Sequence, residues 1–252
     1  RDNRISHPAN RASPGIRFVH ALWSSGVKAR GDFTVEDCVV ELGDYGDGKP
    51  ADDEQLLGVF FSNHDTVRVV NNTITGIDET IEILGNRSGG TGAGAAGAAP
   101  SPAEIIVTDN RVVSTGMPGK VWPWSFAILI GGNLNVDAVR VEDNHVTKRG
   151  DGWALGVSGE NFKISGNTFR FEEQNGAYPP GAILIGGFGK LGTYELGNSL
   201  DNSMFANNAF EGKISDNAIV FSPGRRGYVI NSSHGNHFDL GDSVARLGAE
   251  TT

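Results

Sequence analysis

Asp137-Ala-Val-Arg-Val-Glu-Asp-Asn-His-Val146 is the stretch that decides the fold, because close copies of it recur along the chain. Its pattern is apolar, any residue, apolar, two residues, Asn, one residue, apolar. Such a pattern predicts a short strand, a tight corner and a second strand. An earlier copy, Gly31 to Val39, carries Asp37 where the others carry Asn. The remaining copies are Asp65 to Ile74, Ala103 to Val112, Glu160 to Phe169 and Glu211 to Ile219.

A short apolar segment precedes each copy and adds a third strand to the repeat. One rung of the repeat therefore contains three short strands and three corners, and its core takes roughly two dozen residues. A repeat of this size is typical of a solenoid, in which each rung packs only against its neighbours. The preceding segments are Ile16 to Val19, Leu57 to Phe61, Ile81 to Leu84, Phe126 to Ile130, Trp153 to Val157, Ala182 to Ile185 and Tyr228 to Ile230.

The recurrent Asn has a structural explanation. A sharp corner between two strands needs a residue near the left-handed region of backbone conformation, where Asn is tolerated better than most other non-glycine residues. Stacked rungs would also bring successive Asn side chains into register, so that their amides hydrogen-bond along the axis as a ladder. The predicted steps of this ladder are Asn3, Asn72, Asn110, Asn144, Asn167, Asn217 and Asn236.

This strand-corner-strand repeat resembles the right-handed parallel β-helix superfamily that includes pectate lyases, and the resemblance covers nearly the whole chain. It implies an all-β solenoid with three short strands per rung, forming a single domain over residues 1–252. It also implies long loops gathered on one side, which form a carbohydrate-binding groove together with the first sheet. One departure from related enzymes is that the chain lacks an Asp-Asp pair near a Gly-His-Gly, a signature of the pectate lyase and polygalacturonase groups.

Three stretches depart from the repeat. Arg1 to Ile5 looks like the end of a rung, so we expect that an amino-terminal cap lies upstream or that another subunit covers the open first rung. Residues from about 86 to 102 are rich in Gly and Ala and predict a flexible loop. Residues from about 186 to 212 predict a loop insertion before the final rungs.

The composition of the chain indicates which kinds of partner it can bind. The chain is 38% hydrophobic and 20% charged and contains 36 Gly, which indicates a folded, turn-rich β protein. Its net charge of −9 argues against nucleic acid as a partner. No basic amphipathic stretch or long apolar run indicates a membrane. We expect Cys38, the single cysteine, to be a small buried side chain, and we expect an extracellular or periplasmic location although this chain carries no signal peptide.

The candidate catalytic residues lie on two successive connections between rungs: Lys148, Arg149 and Asp151 on the first, Glu172 and Glu173 on the second. In the superfamily that the chain resembles, lyases abstract a proton with a basic residue and neutralise the neighbouring acid with a cation. Lys148 or Arg149 could take either role. Hydrolysis would instead need two carboxylates about 5 to 10 Å apart, such as Asp151 with Glu172 or Glu173. The alternative is a charged, solvated turn.

Aromatic and acidic side chains supply the candidate binding sites. An exposed Trp beside Gly and Pro offers an aromatic face to sugar rings, although it can equally fold its loop onto the solenoid. Ca²⁺ takes six to eight oxygen ligands, so Asp44, Asp47, Asp52 and Asp53 are weak candidates for a Ca²⁺ site, with a solvated acidic loop as the alternative. No cofactor is required by the sequence. The candidate substrate-binding residues are Trp122, Trp124, Trp153, Tyr178 and His64.

Two functions remain open on the sequence. The first is a β-helix protein that binds a polysaccharide or oligosaccharide in a groove along the solenoid and degrades or epimerises it, as a polysaccharide lyase or glycoside hydrolase. The second is a non-catalytic glycan-binding or structural β-helix, such as an adhesin or a fragment like a phage tailspike, which the missing signatures and the open first rung favour. That rung would also allow an oligomer to form. We expect neither nucleic acid nor a membrane as a partner.

Overall fold

The computed structural model describes residues 4–7, 17–25, 32–42, 54–62, 66–77, 80–84, 104–115, 126–131, 138–150, 152–157, 162–172, 183–186, 203–212, 219–222, 230–239 and 247–249. Within these ranges the chain is all-β, with short strands joined by tight corners and no helix that could cross a membrane. The strands are β1 (Arg4–His7), β2 (Arg17–Ser25), β3 (Asp32–Glu36), β4 (Val39–Leu42), β5 (Glu54–Ser62), β6 (Thr66–Val70), β7 (Thr73–Ile77), β8 (Ile81–Leu84), β9 (Glu104–Thr108), β10 (Arg111–Thr115), β11 (Phe126–Gly131), β12 (Ala138–Glu142), β13 (His145–Arg149), β14 (Trp153–Val157), β15 (Phe162–Ser165), β16 (Thr168–Glu172), β17 (Ile183–Gly186), β18 (Ser203–Ala206), β19 (Ala209–Gly212), β20 (Ile219–Ser222), β21 (Ile230–His234), β22 (His237–Asp239) and β23 (Leu247–Ala249).

The strands form three parallel stacks, because each strand pairs with the strand three places further along the chain. We call them the first stack (β2, β5, β8, β11, β14, β17, β20, β23), the second stack (β3, β6, β9, β12, β15, β18, β21) and the third stack (β1, β4, β7, β10, β13, β16, β19, β22). A single antiparallel contact, Leu56 with Ile77, links the first and third stacks. Three consecutive strands, one from each stack, make one rung. This arrangement is compatible with the parallel β-helix that the sequence predicts.

The core lies between the stacks, where inward side chains of successive rungs sit directly above one another. In β6, Val67 and Val69 are buried while Arg68 between them is exposed, as two-residue alternation requires. Val69 is in register with Val107 of β9, and Val107 with Val141 of β12. Burying a Val, Leu or Ile side chain contributes about 1.5–3 kcal/mol, so these columns of β-branched residues are the main stabilising feature.

The predicted Asn ladder is confirmed at its central steps. The Asn144 Oδ1 accepts hydrogen bonds from the backbone N and the Nδ2 of Asn110, each at 3.0 Å. The Asn144 Nδ2 in turn donates to the Oδ1 of Asn167 at 2.9 Å and to the carbonyl of Val107 at 2.8 Å. Each amide therefore ties three rungs together. The described steps are Asn72, Asn110, Asn144, Asn167, Asn208 and Asn236.

One predicted step is wrong. Asn208, and not Asn217, takes the place between Asn167 and Asn236, since Asn167 donates to Asn208 and Asn208 donates to Asn236. Sequence reasoning missed this copy because the polar residue Ser203 stands where the pattern requires its first apolar residue. The supposed insertion at 186–212 consequently contains two regular strands, β18 and β19. Asn3 and Asn217 lie outside the described residues.

The corner and the ladder are two consecutive positions, a distinction that the sequence analysis did not make. The left-handed residue is the one before the ladder Asn and points outward, as at Asn71 (φ 52°) and Asp143 (φ 55°). Asp37 (φ 56°) is therefore a corner residue, and the ladder position of its rung belongs to Cys38. Cys38 is buried, as expected, and its backbone N donates to the Asn72 Oδ1 at 2.9 Å.

The last predicted first strand also shifts. The segment Tyr228 to Ile230 was expected to open the final rung, but Ile230 begins β21, a strand of the second stack. The first-stack strand of that rung is β20, Ile219–Ser222, which pairs with β17 and β23. The error has the same origin as that at Asn217, since the pattern was read one strand out of phase from residue 211 onward.

Candidate functional site

The outward face of the third stack collects most of the described candidate charges. In β13 the side chains of Val146 and Lys148 point inward and are buried, whereas His145 and Arg149 are exposed. Register places Arg149 beside Glu172 of β16 and Thr147 beside Arg170. Strand alternation and register together therefore bring four polar side chains, two from each of two neighbouring rungs, onto one surface.

Glu172 lies between two arginines. The Arg149 Nε is 3.0 Å from the Glu172 Oε2, and the Arg170 Nε is 3.1 Å from the Glu172 Oε1. Both carboxylate oxygens are thus engaged, one by each guanidinium. The three side chains remain partly exposed, at 46% for Arg149, 30% for Glu172 and 60% for Arg170. We call these three residues the arginine cluster.

Lys148 does not share the face of Arg149 and Glu172, so the three described catalytic candidates do not form one surface. Its side chain is fully buried, and its Nζ donates to the Oγ of Ser114 at 3.3 Å. Lys148 is in register with Ser114 of β10 and with Phe171 of β16. It extends over the small Ser114 side chain, and a bound polymer outside the third stack would not reach its amine.

Trp153 is also placed in the interior. Its side chain is 6% exposed, and its ring stacks on Phe126 of the preceding rung with centroids 6.4 Å apart. The two residues are in register at the start of β14 and β11. The ring is therefore packed within the fold. Trp153 has a structural role there and does not offer its ring to a sugar.

On β8, β11 and β14, where the burial of its side chains is described, the first stack offers no open surface. Glu82, Leu129 and Gly156 occupy one register column of β8, β11 and β14, and all three are buried. A groove along the first sheet, as the resemblance implies, would need these positions to be accessible. The third stack, in contrast, is polar and open at Arg111, His145 and Arg149.

The other candidates lie outside the described residues. Within the described ranges, no group of three or more His, Cys, Asp or Glu side chains is placed to hold a metal ion. The Ca²⁺ assignment therefore stays a prediction on segments that the structure does not describe. The candidates concerned are Asp151, Glu173, Trp122, Trp124, Tyr178, His64, Asp44, Asp47, Asp52 and Asp53.

Sequence reasoning missed three polar residues, two on the third stack and one on the first. Arg170 could have been found, because it stands two positions before Glu172 on a strand and so must share its face. Ser114 could have been paired with Lys148, since both lie four positions after their ladder Asn. The burial of Glu82 could not have been predicted, because nothing in the sequence Ile81-Glu-Ile83 indicates that the outward side of this strand is covered.

Comparison of the chain with models of protein families, with curated proteins and with solved structures finds no match.

Proposed function

We propose that this chain forms a right-handed parallel β-helix of the pectate-lyase-like kind and binds a polysaccharide or oligosaccharide. The binding surface is the outward face of the third stack around the arginine cluster. We further propose an extracellular or periplasmic location, where such polymers occur.

The observation that carries this proposal is the alignment of outward-facing polar side chains across successive rungs. Arg111, His145 and Thr168 form one register column on β10, β13 and β16, and Arg149 and Glu172 lie in another. Neighbouring strands are about 4.8 Å apart, so such columns present hydrogen-bonding groups at regular intervals. A linear polymer that lies along the axis can contact several of them at once. An isolated small ligand would gain no such advantage.

Turnover of the polymer is the second candidate function. Arg149 is exposed at the end of β13, where its guanidinium could neutralise a substrate carboxylate during proton abstraction. Two observations favour binding without turnover. Lys148 is buried, and both oxygens of Glu172 are held by guanidinium groups, which leaves it poorly suited to act as a general acid or base.

The test is a screen of the purified chain against uronic-acid and neutral polysaccharides, with and without Ca²⁺. Binding is measured by calorimetry, and turnover by the absorbance of new unsaturated ends and by the release of reducing ends. Arg149→Gln should weaken binding by about ten- to a hundredfold, since charge-assisted contacts contribute roughly 1.5–3 kcal/mol. The matched control is Arg140→Gln, which removes the same charge from an exposed residue on the second stack.

The outcomes separate the two functions. Saturable binding without new chain ends supports the glycan-binding function. New absorbance would establish a lyase, and reducing ends alone would establish a hydrolase. Failure of the folded chain to bind any polysaccharide, or an equal effect of Arg149→Gln and Arg140→Gln, would exclude the proposed surface. A requirement for Ca²⁺ would direct attention to the acidic segment at Asp44 to Asp53.

A further inference from the structure

We propose that the arginine cluster is a subsite for a sulfate monoester on the bound glycan, with Arg149 and Arg170 as ligands and Glu172 as the residue that positions them. This inference rests on the proposed function, because it identifies the chemical class of the polymer. The sequence pattern indicated no role for Arg170 and made Glu172 a candidate catalytic carboxylate.

Both arginines of the cluster are partly exposed and carry several N–H donors. The Arg149 Nε donates a hydrogen bond to the Glu172 Oε2 at 3.0 Å, and the Arg170 Nε lies 3.1 Å from the Glu172 Oε1 as an ion pair. The exposed fractions of the two side chains are 46% and 60%. Because each guanidinium has two Nη atoms, the two arginines together carry eight N–H groups besides those on Nε.

The number of oxygens on the ligand decides which anion fits best. A carboxylate has two oxygens, so it can match one guanidinium fork or, as Glu172 does, offer one oxygen to each of two guanidinium groups. A sulfate monoester has three terminal oxygens in a tetrahedral arrangement, so it can accept from both guanidinium groups at once. The Thr147 side chain, in register with Arg170, borders the same space. A sulfate ester therefore offers one oxygen more than a uronate for contacts with both arginines.

Charges around the cluster set the expected strength of binding. Arg149, Arg170 and Glu172 sum to +1, and Glu211 is in register with Arg170 on the next rung. The whole chain carries −9, so it repels an anionic polymer at long range. Binding must therefore come from short-range contacts in the cluster. Removing the Glu211 charge should strengthen it.

Glu172 serves as a positioning residue with two opposing effects. Its negative charge weakens the attraction for any anion, but it holds two like-charged guanidinium groups next to each other. Glu172→Gln should therefore raise the affinity for anionic polymers in general and lower the preference for sulfated ones. A role for Glu172 in stability alone would leave that preference unchanged.

The experiment compares two uronate polysaccharides that differ only in sulfate esters, such as chondroitin and chondroitin sulfate, together with a neutral glucan. We expect the sulfated polymer to bind about tenfold more tightly than the unsulfated one, as one further charge-assisted hydrogen bond implies. Arg149→Gln or Arg170→Gln should remove that preference, and Arg140→Gln should retain it. Glu211→Gln should increase the affinity for the sulfated polymer.

A second measurement separates the subsite from the glycan-binding function. Inorganic sulfate is titrated into the chain while the Nε–H resonances of its arginines are followed by NMR. If sulfate shifts the Arg149 and Arg170 resonances but no polysaccharide binds, the anion subsite is supported and the glycan-binding function is excluded. Equal affinity for the sulfated and unsulfated polymers would overturn the sulfate subsite and leave glycan binding intact. Absence of both shifts and binding would exclude both.

Discussion

Replacement of Asn144 by Ala should destabilise the protein strongly, because this amide connects three rungs. Its side chain takes part in four hydrogen bonds, two accepted from Asn110 and two donated, to Val107 and Asn167. All of them lie in the interior, where the Asn144 side chain is fully buried. At about 1 kcal/mol for each buried hydrogen bond, the substitution lowers the free energy of unfolding by about 4 kcal/mol.

The loss should exceed that simple sum rather than fall below it. The backbone N–H of Asn110 would remain buried next to a methyl group, and an orphaned buried donor costs about 1–3 kcal/mol. Total stabilities are about 5–15 kcal/mol, so the Asn144→Ala protein should be close to the limit of folding at moderate temperature. Asn144→Asp should also destabilise it, because the carboxyl group introduced cannot donate to both Val107 and Asn167.

Urea denaturation followed by circular dichroism measures these effects. The matched control is Asn71→Gly, which removes the same amide from an exposed corner where it makes one hydrogen bond, to Asp37. Gly adopts the left-handed backbone of that corner readily, so the control should cost less than about 1 kcal/mol. If Asn144→Ala shifts the urea midpoint no more than Asn71→Gly, the ladder does not stabilise the stacking of rungs and our account of it is wrong.

Three further predictions concern single positions. Cys38→Asn should raise the free energy of unfolding by about 0.5–1.5 kcal/mol, measured by thermal unfolding, since the new amide can donate to the Asn72 Oδ1. The control, Cys38→Ala, should bring no gain in stability. A lower stability of Cys38→Asn would contradict the ladder position of Cys38. Gly166→Ala should lower the free energy of unfolding by about 1–2 kcal/mol in urea denaturation, because a Cβ at φ +70° would collide with the Asp143 Oδ1. Adding Asp143→Gly to this variant should recover part of the lost stability. Lys148→Ala should lower the free energy of unfolding by about 2–4 kcal/mol, because it leaves a cavity where the buried side chain was. Lys148→Met, which fills most of that space, should lower it clearly less. Loss of turnover in a variant of unchanged stability would instead indicate a catalytic role for Lys148.

Much of the fold could be predicted from the sequence because each copy of the repeat faces the same physical demands. Val67 and Val69 must point inward and Arg68 outward, and the buried amide of Asn72 needs partners in the adjacent rungs. These constraints recur at every rung and so reinforce one another along the chain. Prediction failed where a rung departs from the consensus, as at Asn208, whose strand begins with a serine.

The site could be predicted only in part, because charge in a sequence does not reveal the environment of a side chain. Lys148 and Arg149 are adjacent and equally basic, yet one is fully buried and the other is 46% exposed. Strand alternation requires that they differ but does not say which faces inward until the ladder Asn is fixed. Trp153 poses the same problem, since only the register with Phe126 shows that its ring is internal.

Register is also what turns the scaffold into a candidate site. Arg149 lies five positions after Asn144, and Glu172 lies five positions after Asn167. The hydrogen bond between these two Asn amides therefore fixes which side chain of β13 meets Glu172. A slip of one residue would place Lys148 beside Glu172 and would turn the outward side chains of the strand inward. The buried ladder and the exposed arginine cluster thus depend on a single structural quantity, the relative register of β13 and β16.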